Sequence, residues 1–126
     1  MKRIYAALAI IAVLLFCGYI ERRCAFEAAD KTLEAVEKAE LFAEHSKLDM
    51  TELYCKQAGK IWSENRTALE LFLPHNDLDS AALLVDKVII YAHSGDGTNV
   101  KIYIAELKNR LESFKEAEKI DVYNLF

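Results

Sequence analysis

Glycine and proline are scarce in this chain, which has four glycines and one proline in 126 residues. Runs of β-branched residues are also scarce. Sheets joined by tight turns depend on these residues, because β-branched side chains suit pleated strands and Gly or Pro marks the turns between them. There is no linker rich in Gly, Ser or Pro. The composition therefore predicts an all-α fold.

The sequence also lacks the short motifs that carry common enzyme chemistry. It has no Gly-rich phosphate loop, no CxxC pair, no HExxH and no Ser/His/Asp order typical of a nucleophilic triad. We therefore expect neither an enzyme nor a cofactor-binding protein.

Positive charge is deficient beyond residue 23. Residues 24–126 hold 12 Lys and Arg against 19 Asp and Glu, a net charge of −7. Binding of nucleic acid needs clustered cations, and anionic lipid repels an acidic surface. The charge thus argues against nucleic acid as a partner, and against a domain that lies flat on anionic lipid.

What the chain does contain is one long apolar run, residues 4–20, with no charge, no Asn or Gln and no Pro. As a helix it would span about 26 Å, just enough for a thin hydrocarbon core. Lys2 and Arg3 precede it, and Arg22 and Arg23 follow it. The run predicts a membrane anchor over residues 1–23, with residues 4–20 in the lipid bilayer.

Three interpretations of this run compete: an uncleaved signal anchor, a cleaved secretory signal peptide, and a lipoprotein acylated at Cys17. No A-x-A-like cleavage site follows the run, and the bulky Phe16 precedes Cys17 where lipoprotein processing needs a small residue. A buried core helix is a poor fit to a run that is apolar on every face. We favour the single-pass anchor, in the cell membrane. The basic residues lean towards a cytoplasmic start of the chain, which would put the main domain outside the cytoplasm.

Beyond the run, apolar residues recur every three or four positions, which is the period of a helix. They predict a helix over 21–48, a second over 49–72 capped by Asp49, a third after Pro74 capped by Asn76 or Asp77, and a fourth capped by Thr98. Residues 94–97, Ser-Gly-Asp-Gly, are the strongest turn signal. Short loops predict antiparallel neighbours. Residues 24–126 are therefore expected to form an acidic up-down bundle of about four helices that continues the transmembrane helix.

The sharpest polar cluster follows Pro74 and contains His75, Asp77 and Asp79. Only His75 and Asp79 share one face of a helix at this spacing. Acid–base or metal-ligand chemistry is one reading, but a cap and a His75–Asp79 hydrogen bond that fix a corner are the reading we favour. Trp62 lies on the apolar stripe of the second helix and is expected to pack in the core or at the corner.

Metal and disulfide sites can be tested against the bundle itself. In an up-down arrangement His45 and His93 lie at the distal end and His75 at the membrane-proximal end, about 30 Å away. A distal cluster of Glu44, His45, His93 and Asp96 is conceivable, but exposed loop-end histidines are the expectation, with no bound metal.

The same geometry separates two of the cysteines. Cys24 and Cys55 are predicted to lie about 24 Å apart along the bundle, too far for a disulfide. A bridge between two chains and acylation are alternatives for Cys24, but a free buried thiol is the expected state.

Several short motifs together resemble a family of short bacterial proteins whose domain has no known function. They are Trp62, the H-x-x-[I/L]-D segment His75 to Asp79, and the closing Asn124-Leu125-Phe126. The resemblance covers the whole chain and implies one membrane helix followed by a helical domain. It supplies no catalytic residue, and it marks Trp62, His75, Asp79, Asn124 and Phe126 as candidate interaction or corner-forming residues. It also implies a small multi-span membrane protein as a partner.

Two classes of function remain open from the sequence. One is an interaction or scaffolding module that docks a partner, such as an integral membrane protein, through its membrane-proximal face. The other is an extracytoplasmic sensor that holds a small ligand or a metal between helices. An exposed apolar patch would favour the first class, and an enclosed pocket with convergent polar groups would favour the second.

Overall fold

Five helices make up the fold. A computed structural model of the protein describes the backbone of residues 1–125 and the side chains of residues 1–116. The helices are α1 (Lys2–Glu44), α2 (Leu48–Glu64), α3 (Arg66–Glu70), α4 (His75–His93) and α5 (Gly97–Leu125). The described backbone contains no strand. The predicted all-α fold is therefore confirmed.

Helix α1 carries two different surfaces in succession. Residues 2–20 are exposed on every face, and an 18-residue window of this helix has a mean hydropathy of 2.2 with none of it buried. From Ala25 to Ala43 the same helix buries a stripe that consists mostly of alanine. Small side chains let neighbouring helices approach closely. Helix α1 is about 65 Å long. Its first part is long and apolar enough to cross a membrane, and its second part belongs to the core of the bundle. The predicted end of the anchor, residue 23, lies inside this helix.

The four long helices form a ring in which α1 contacts α2 and α5, and α4 contacts the same two helices from the opposite side. Successive helices run antiparallel because their loops are short. An ion pair between Glu40 and Lys108, 3.2 Å apart, joins α1 to α5. The largest fully buried side chains include Val36, Leu69, Leu78, Val88, Ile104, Leu107 and Leu111. The predicted up-down bundle of four helices is confirmed, with α3 as a short addition.

The second helix does not run from 49 to 72 as predicted, because it breaks at Asn65. The side-chain amide of Asn65 donates a hydrogen bond to the carbonyl oxygen of Ile61 at 2.8 Å. Asn side chains compete in this way with backbone hydrogen bonds and favour helix ends. The single turn of α3 then carries the chain to Pro74, which precedes α4.

The predicted helix caps are wrong in detail. Helices α2 and α4 have no side-chain capping bond at their starts, and Asp49 and Asp77 lie inside the respective first turns. Carboxylates there still interact favourably with the helix dipole. At the start of α5 it is Asp96, not Thr98, whose carboxylate accepts a hydrogen bond from the backbone N–H of Asn99 at 3.2 Å.

Two glycines occupy positions that constrain the backbone. A Cβ atom at Gly59 would lie 3.1 Å from Cγ1 of Val85, so the glycine permits α2 and α4 to approach closely. Gly95 has a φ of +80°, which an L-residue rarely adopts, and it makes the predicted turn before α5.

Candidate functional site

Trp62 is a core residue that joins three helices. It is 3 % exposed, its Nε1–H donates to the carbonyl oxygen of Leu78 at 3.2 Å, and its ring stacks on Phe114 with centroids 6.1 Å apart. The indole thus links α2 to the first turns of α4 and to α5. Because its donor is satisfied and its surface is covered, the ring is not available to a partner.

Arg66, which no sequence motif marked, lies at the corner between α3 and α4 and pairs with a carboxylate of each helix. Its Nε donates to Oε1 of Glu70 at 3.0 Å, and its Nη2 donates to Oδ1 of Asp79 at 2.8 Å. The hydrogen bond to Asp79 and, to a smaller extent, the one to Glu70 raise the pKa of Arg66 above its ordinary value. The Arg66 to Glu70 spacing of four residues is a sequence signal for the first bond, but the bond to Asp79 depends on the corner.

The predicted hydrogen bond between His75 and Asp79 is therefore wrong. Asp79 pairs with Arg66, and Nδ1 of His75 lies 4.0 Å from Oε1 of Glu70. The side chains of His75 and Asp79 are 74 % and 64 % exposed. Both residues lie at the corner, in a solvent-exposed network of ion pairs.

At the distal end of the bundle the tightest polar cluster is Glu52, Lys56 and His93. The carboxylate of Glu52 lies 3.0 Å from Nζ of Lys56 and 3.4 Å from Nδ1 of His93, with the Glu52 side chain 19 % exposed. The hydrogen bond to Lys56, supported by His93, holds the pKa of Glu52 below its ordinary value against the opposing effect of burial.

The conceivable distal cluster of Glu44, His45, His93 and Asp96 does not form, because its members have other partners. Nδ1 of His45 lies 2.9 Å from the carbonyl oxygen of Leu41, and Asp96 accepts a hydrogen bond from the Asn99 side chain at 2.6 Å. Among the described residues no group of three or more His, Cys, Asp or Glu is placed to hold a metal ion.

All three cysteines are free thiols. Cys55 is fully buried, and burial raises its pKa to about 12, so the thiol stays protonated and unreactive. Cys24 is exposed, which corrects the expectation of a buried thiol there. Cys24 directly precedes Ala25, the first buried residue of α1, and lies outside the buried stripe.

A groove of about 400 Å³ runs between α2 and α4. Gly59, Ala82 and Val85 are among its lining residues, and Lys56 and Arg66 lie along the α2 side. Both of these cations already pair with carboxylates, Lys56 with Glu52 and Arg66 with Glu70 and Asp79. The groove is open, and its two cations pair with carboxylates outside its lining rather than converging on a ligand, while Asp86 also lines it.

Three large apolar side chains are exposed on the outer faces of α4 and α5. We call Leu83, Ile90 and Ile102 the α4–α5 patch; they are 55 %, 64 % and 57 % exposed. Ile90 and Ile102 directly precede Tyr91 and Tyr103, whose rings stack with centroids 5.4 Å apart across the two helices. In antiparallel helices the residues before such a pair turn to the same side, so both isoleucines point outward beside the stack.

Part of the α4–α5 patch could have been recognised from the sequence. Leu83 and Ile90 are seven residues apart, which places them on one helical face. That face lies away from the buried stripe of α4, which includes Leu78, Ala81, Val85 and Val88. Leu83 and Ile90 thus form a second apolar face of α4, which the bundle leaves exposed.

Asn124 and Phe126, the remaining candidate residues, lie outside the described residues, since side chains are described only as far as residue 116. Their predicted role in an interaction stays a prediction.

Comparison with curated proteins and with solved structures found no match. The model of one protein family, a domain of unknown function designated DUF4363, matches residues 23–125. The match begins just after the apolar run and includes the whole bundle together with the corner. Because it covers most of the chain, the protein belongs to the DUF4363 family, as the resemblance to a family of unknown function predicted.

Proposed function

We propose that this protein is a single-pass membrane protein whose helical bundle is an interaction module, and that the α4–α5 patch binds another protein. The observation that carries this proposal is the continuity of α1. The same helix supplies the exposed apolar segment and the buried stripe from Ala25 to Ala43. A bundle built on its own anchor is held at a fixed height above the bilayer, which suits a docking platform.

The composition of the α4–α5 patch supports a protein partner. Exposed Leu and Ile side chains beside stacked tyrosines resemble the centre of a protein interface, which is more apolar than the surrounding surface, poor in charge and enriched in aromatic residues. Lys87, with Nζ 5.1 Å from the ring centroid of Tyr103, provides a polar edge. The net charge of −7 over residues 24–126 argues against nucleic acid. No catalytic step is part of the proposed function.

The height of the patch constrains the partner. Leu83 and Ile90 lie eight and fifteen residues after the start of α4, which is about 12 and 22 Å along the helix. A partner embedded in the same membrane must therefore extend beyond the bilayer to reach them. This moves the docking surface upward from the membrane-proximal face expected from the sequence, on the side of the membrane that we infer to be extracytoplasmic.

Site-specific photocrosslinking tests the proposed docking. A photoreactive residue is placed at Ile90 or Ile102 of the full chain in its native membrane, and at Gln57, an exposed polar position on α2, as the control. We expect one protein adduct of the same mass from both patch positions and not from Gln57. Equal adducts from all three positions, or none from the patch, would contradict the α4–α5 patch as the interface.

The sensor function is the competing proposal, and the α2–α4 groove is where it would act. A ligand held there would protect a photoreactive residue at Ser63, on the groove, from water and give an adduct of small mass. We expect no such adduct, because the neighbouring cations Lys56 and Arg66 are already paired.

A further inference from the structure

The corner between α3 and α4 exposes two large apolar side chains. Leu71 is 58 % and Phe72 40 % exposed, whereas Leu73 beside them packs against the core. The N–H groups of Phe72 and Leu73 both donate to the carbonyl oxygen of Leu69, at 3.1 and 2.9 Å. A hydrogen-bonded turn therefore presents Leu71 and Phe72 at the end of the bundle.

Phe72 lies beside the part of α1 that directly follows the apolar run. With Leu73 and Phe114 it lines a water-sized cavity of about 10 Å³ against Ala25 and Ala29. Ala25 and Ala29 are five and nine residues beyond the end of the run, about 8 and 14 Å along a helix. The interfacial region of a bilayer is about 5–8 Å thick on each side of the hydrocarbon. When residues 4–20 span the hydrocarbon, the corner thus begins at the outer edge of the lipid headgroups.

Leu71 and Phe72 differ from the other exposed apolar side chains in their distance from the membrane. Leu83 and Ile90 lie farther from the membrane along α4, as does Ile102 near the start of α5 at the distal end. Among the described residues beyond the run, Leu71 and Phe72 are the exposed large apolar side chains closest to the membrane end of the bundle.

The charges at the corner are compatible with lipid headgroups. Arg66 pairs with the carboxylates of Glu70 and Asp79, at 3.0 and 2.8 Å. A carboxylate paired with a guanidinium repels a lipid phosphate less than a free one does. The bundle as a whole remains acidic, so a zwitterionic lipid surface fits it better than an anionic one.

We propose that Leu71 and Phe72 form a second membrane contact, in which both side chains insert among the headgroups of a zwitterionic bilayer. This contact presupposes the proposed membrane anchor. Because α1 already holds the corner next to the surface, the contact forms intramolecularly and is populated even if its own affinity is weak. Two contacts with the bilayer, one through α1 and one through the corner, restrict the tilt of the bundle relative to the membrane plane. The α4–α5 patch is thereby held at a defined height above the membrane.

Quenching of tryptophan fluorescence by brominated phosphatidylcholine tests this contact. The full chain has a single tryptophan, the buried Trp62, which provides a constant background. Three variants, each reconstituted into phosphatidylcholine vesicles, add one tryptophan: Leu71→Trp at the corner, Leu83→Trp as a control of similar exposure, and Phe16→Trp in the apolar run. We expect Leu71→Trp to be quenched at least about twice as strongly as Leu83→Trp and to emit at shorter wavelength, because tryptophan at the headgroup level is partly shielded from water.

The Phe16→Trp variant separates the two hypotheses. If it is quenched while Leu71→Trp is quenched no more than Leu83→Trp, the anchor stands and the corner contact is wrong. If Phe16→Trp is not quenched, the anchor and the corner contact both fail. A Leu71→Trp emission that shifts to shorter wavelength without quenching means that a protein surface or a second copy of the chain covers the corner, which also overturns the lipid contact. Phe72→Trp replaces Leu71→Trp if the latter does not fold.

Discussion

Trp62 shows how one side chain can hold three helices together. Replacing it with alanine removes the stack on Phe114 and the hydrogen bond to Leu78, and it leaves a cavity at the corner end of the core. We expect Trp62→Ala to lower the free energy of unfolding by about 3–5 kcal/mol. Urea unfolding of the full chain in mild detergent, followed by helical circular dichroism, measures it. Trp62→Phe is the matched control and should lose much less, and an unchanged midpoint for Trp62→Ala would mean that the indole is not buried.

Asp79 is expected to matter less than its place in the His75 to Asp79 motif indicates. Its bond to Arg66 joins α3 to α4, but both side chains are largely solvated, and exposed ion pairs contribute little to stability. We expect Asp79→Asn and His75→Gln to leave the urea midpoint within the scatter of replicates. A large loss of stability from Asp79→Asn would show that the ion pair, rather than Pro74 and the buried residues, fixes the corner.

Glu52 makes stability depend on pH. Its pKa is lower in the folded protein than its ordinary value of 4.5, so its interactions stabilise the fold above that pH, and the contribution is lost as the pH falls through the folded-state pKa. We therefore expect Glu52→Gln to be less stable than the parent protein at neutral pH, with the difference shrinking below pH 4.5. Urea midpoints of the two proteins across this range measure it, and a difference independent of pH would contradict the assignment.

At the scale of the element, the contact between α2 and α4 depends on the missing side chain of Gly59. Alanine in a helix is ordinarily more favourable than glycine by about 1 kcal/mol. At this position its Cβ would lie 3.1 Å from Cγ1 of the buried Val85, so the valine side chain would have to shift by a few tenths of an ångström. We expect Gly59→Ala to be destabilising in the parent chain.

A double-mutant cycle isolates this crowding. In a Val85→Ala background the clash is gone, and Gly59→Ala should become neutral or stabilising because only the helix propensity remains. Equal effects of Gly59→Ala in both backgrounds would show that the close approach of α2 and α4 does not depend on this pair.

At the scale of the whole molecule, the exposed apolar part of α1 predicts firm attachment to membranes. We expect the full chain to remain in the membrane pellet after an alkaline carbonate wash and to be released only by detergent, since burying about 20 apolar residues in lipid is effectively irreversible. A variant with Asp at both Leu8 and Leu14 is the control and should be lost from the pellet. Recovery of a soluble form that starts within residues 19–30 would instead support a cleaved signal peptide.

The sequence alone determined the all-α class, the order of the four long helices and most of the core. It did so because the helical period is local. The apolar residues that recur at this period in α1 are all buried, namely Ala25, Ala29, Leu33, Val36, Ala39 and Ala43. The turn at Gly95 and the interruption of the helices at Pro74 could also be predicted from the sequence, because each follows from the backbone preference of a single residue.

Which polar groups pair and which apolar side chains stay exposed depends on how the helices pack, and the sequence pattern does not show it. Arg66 reaches Asp79 because α3 and Pro74 bring two segments of the chain together. The spacing of apolar residues along the sequence does not predict such a contact. The same is true of Ile90 and Ile102, whose shared face depends on how α4 packs against α5. The apolar pattern of one helix indicates which of its faces can be buried. The packing of the neighbouring helices determines which face is buried in the fold. The apolar side chains that remain exposed form the surfaces that we propose for binding.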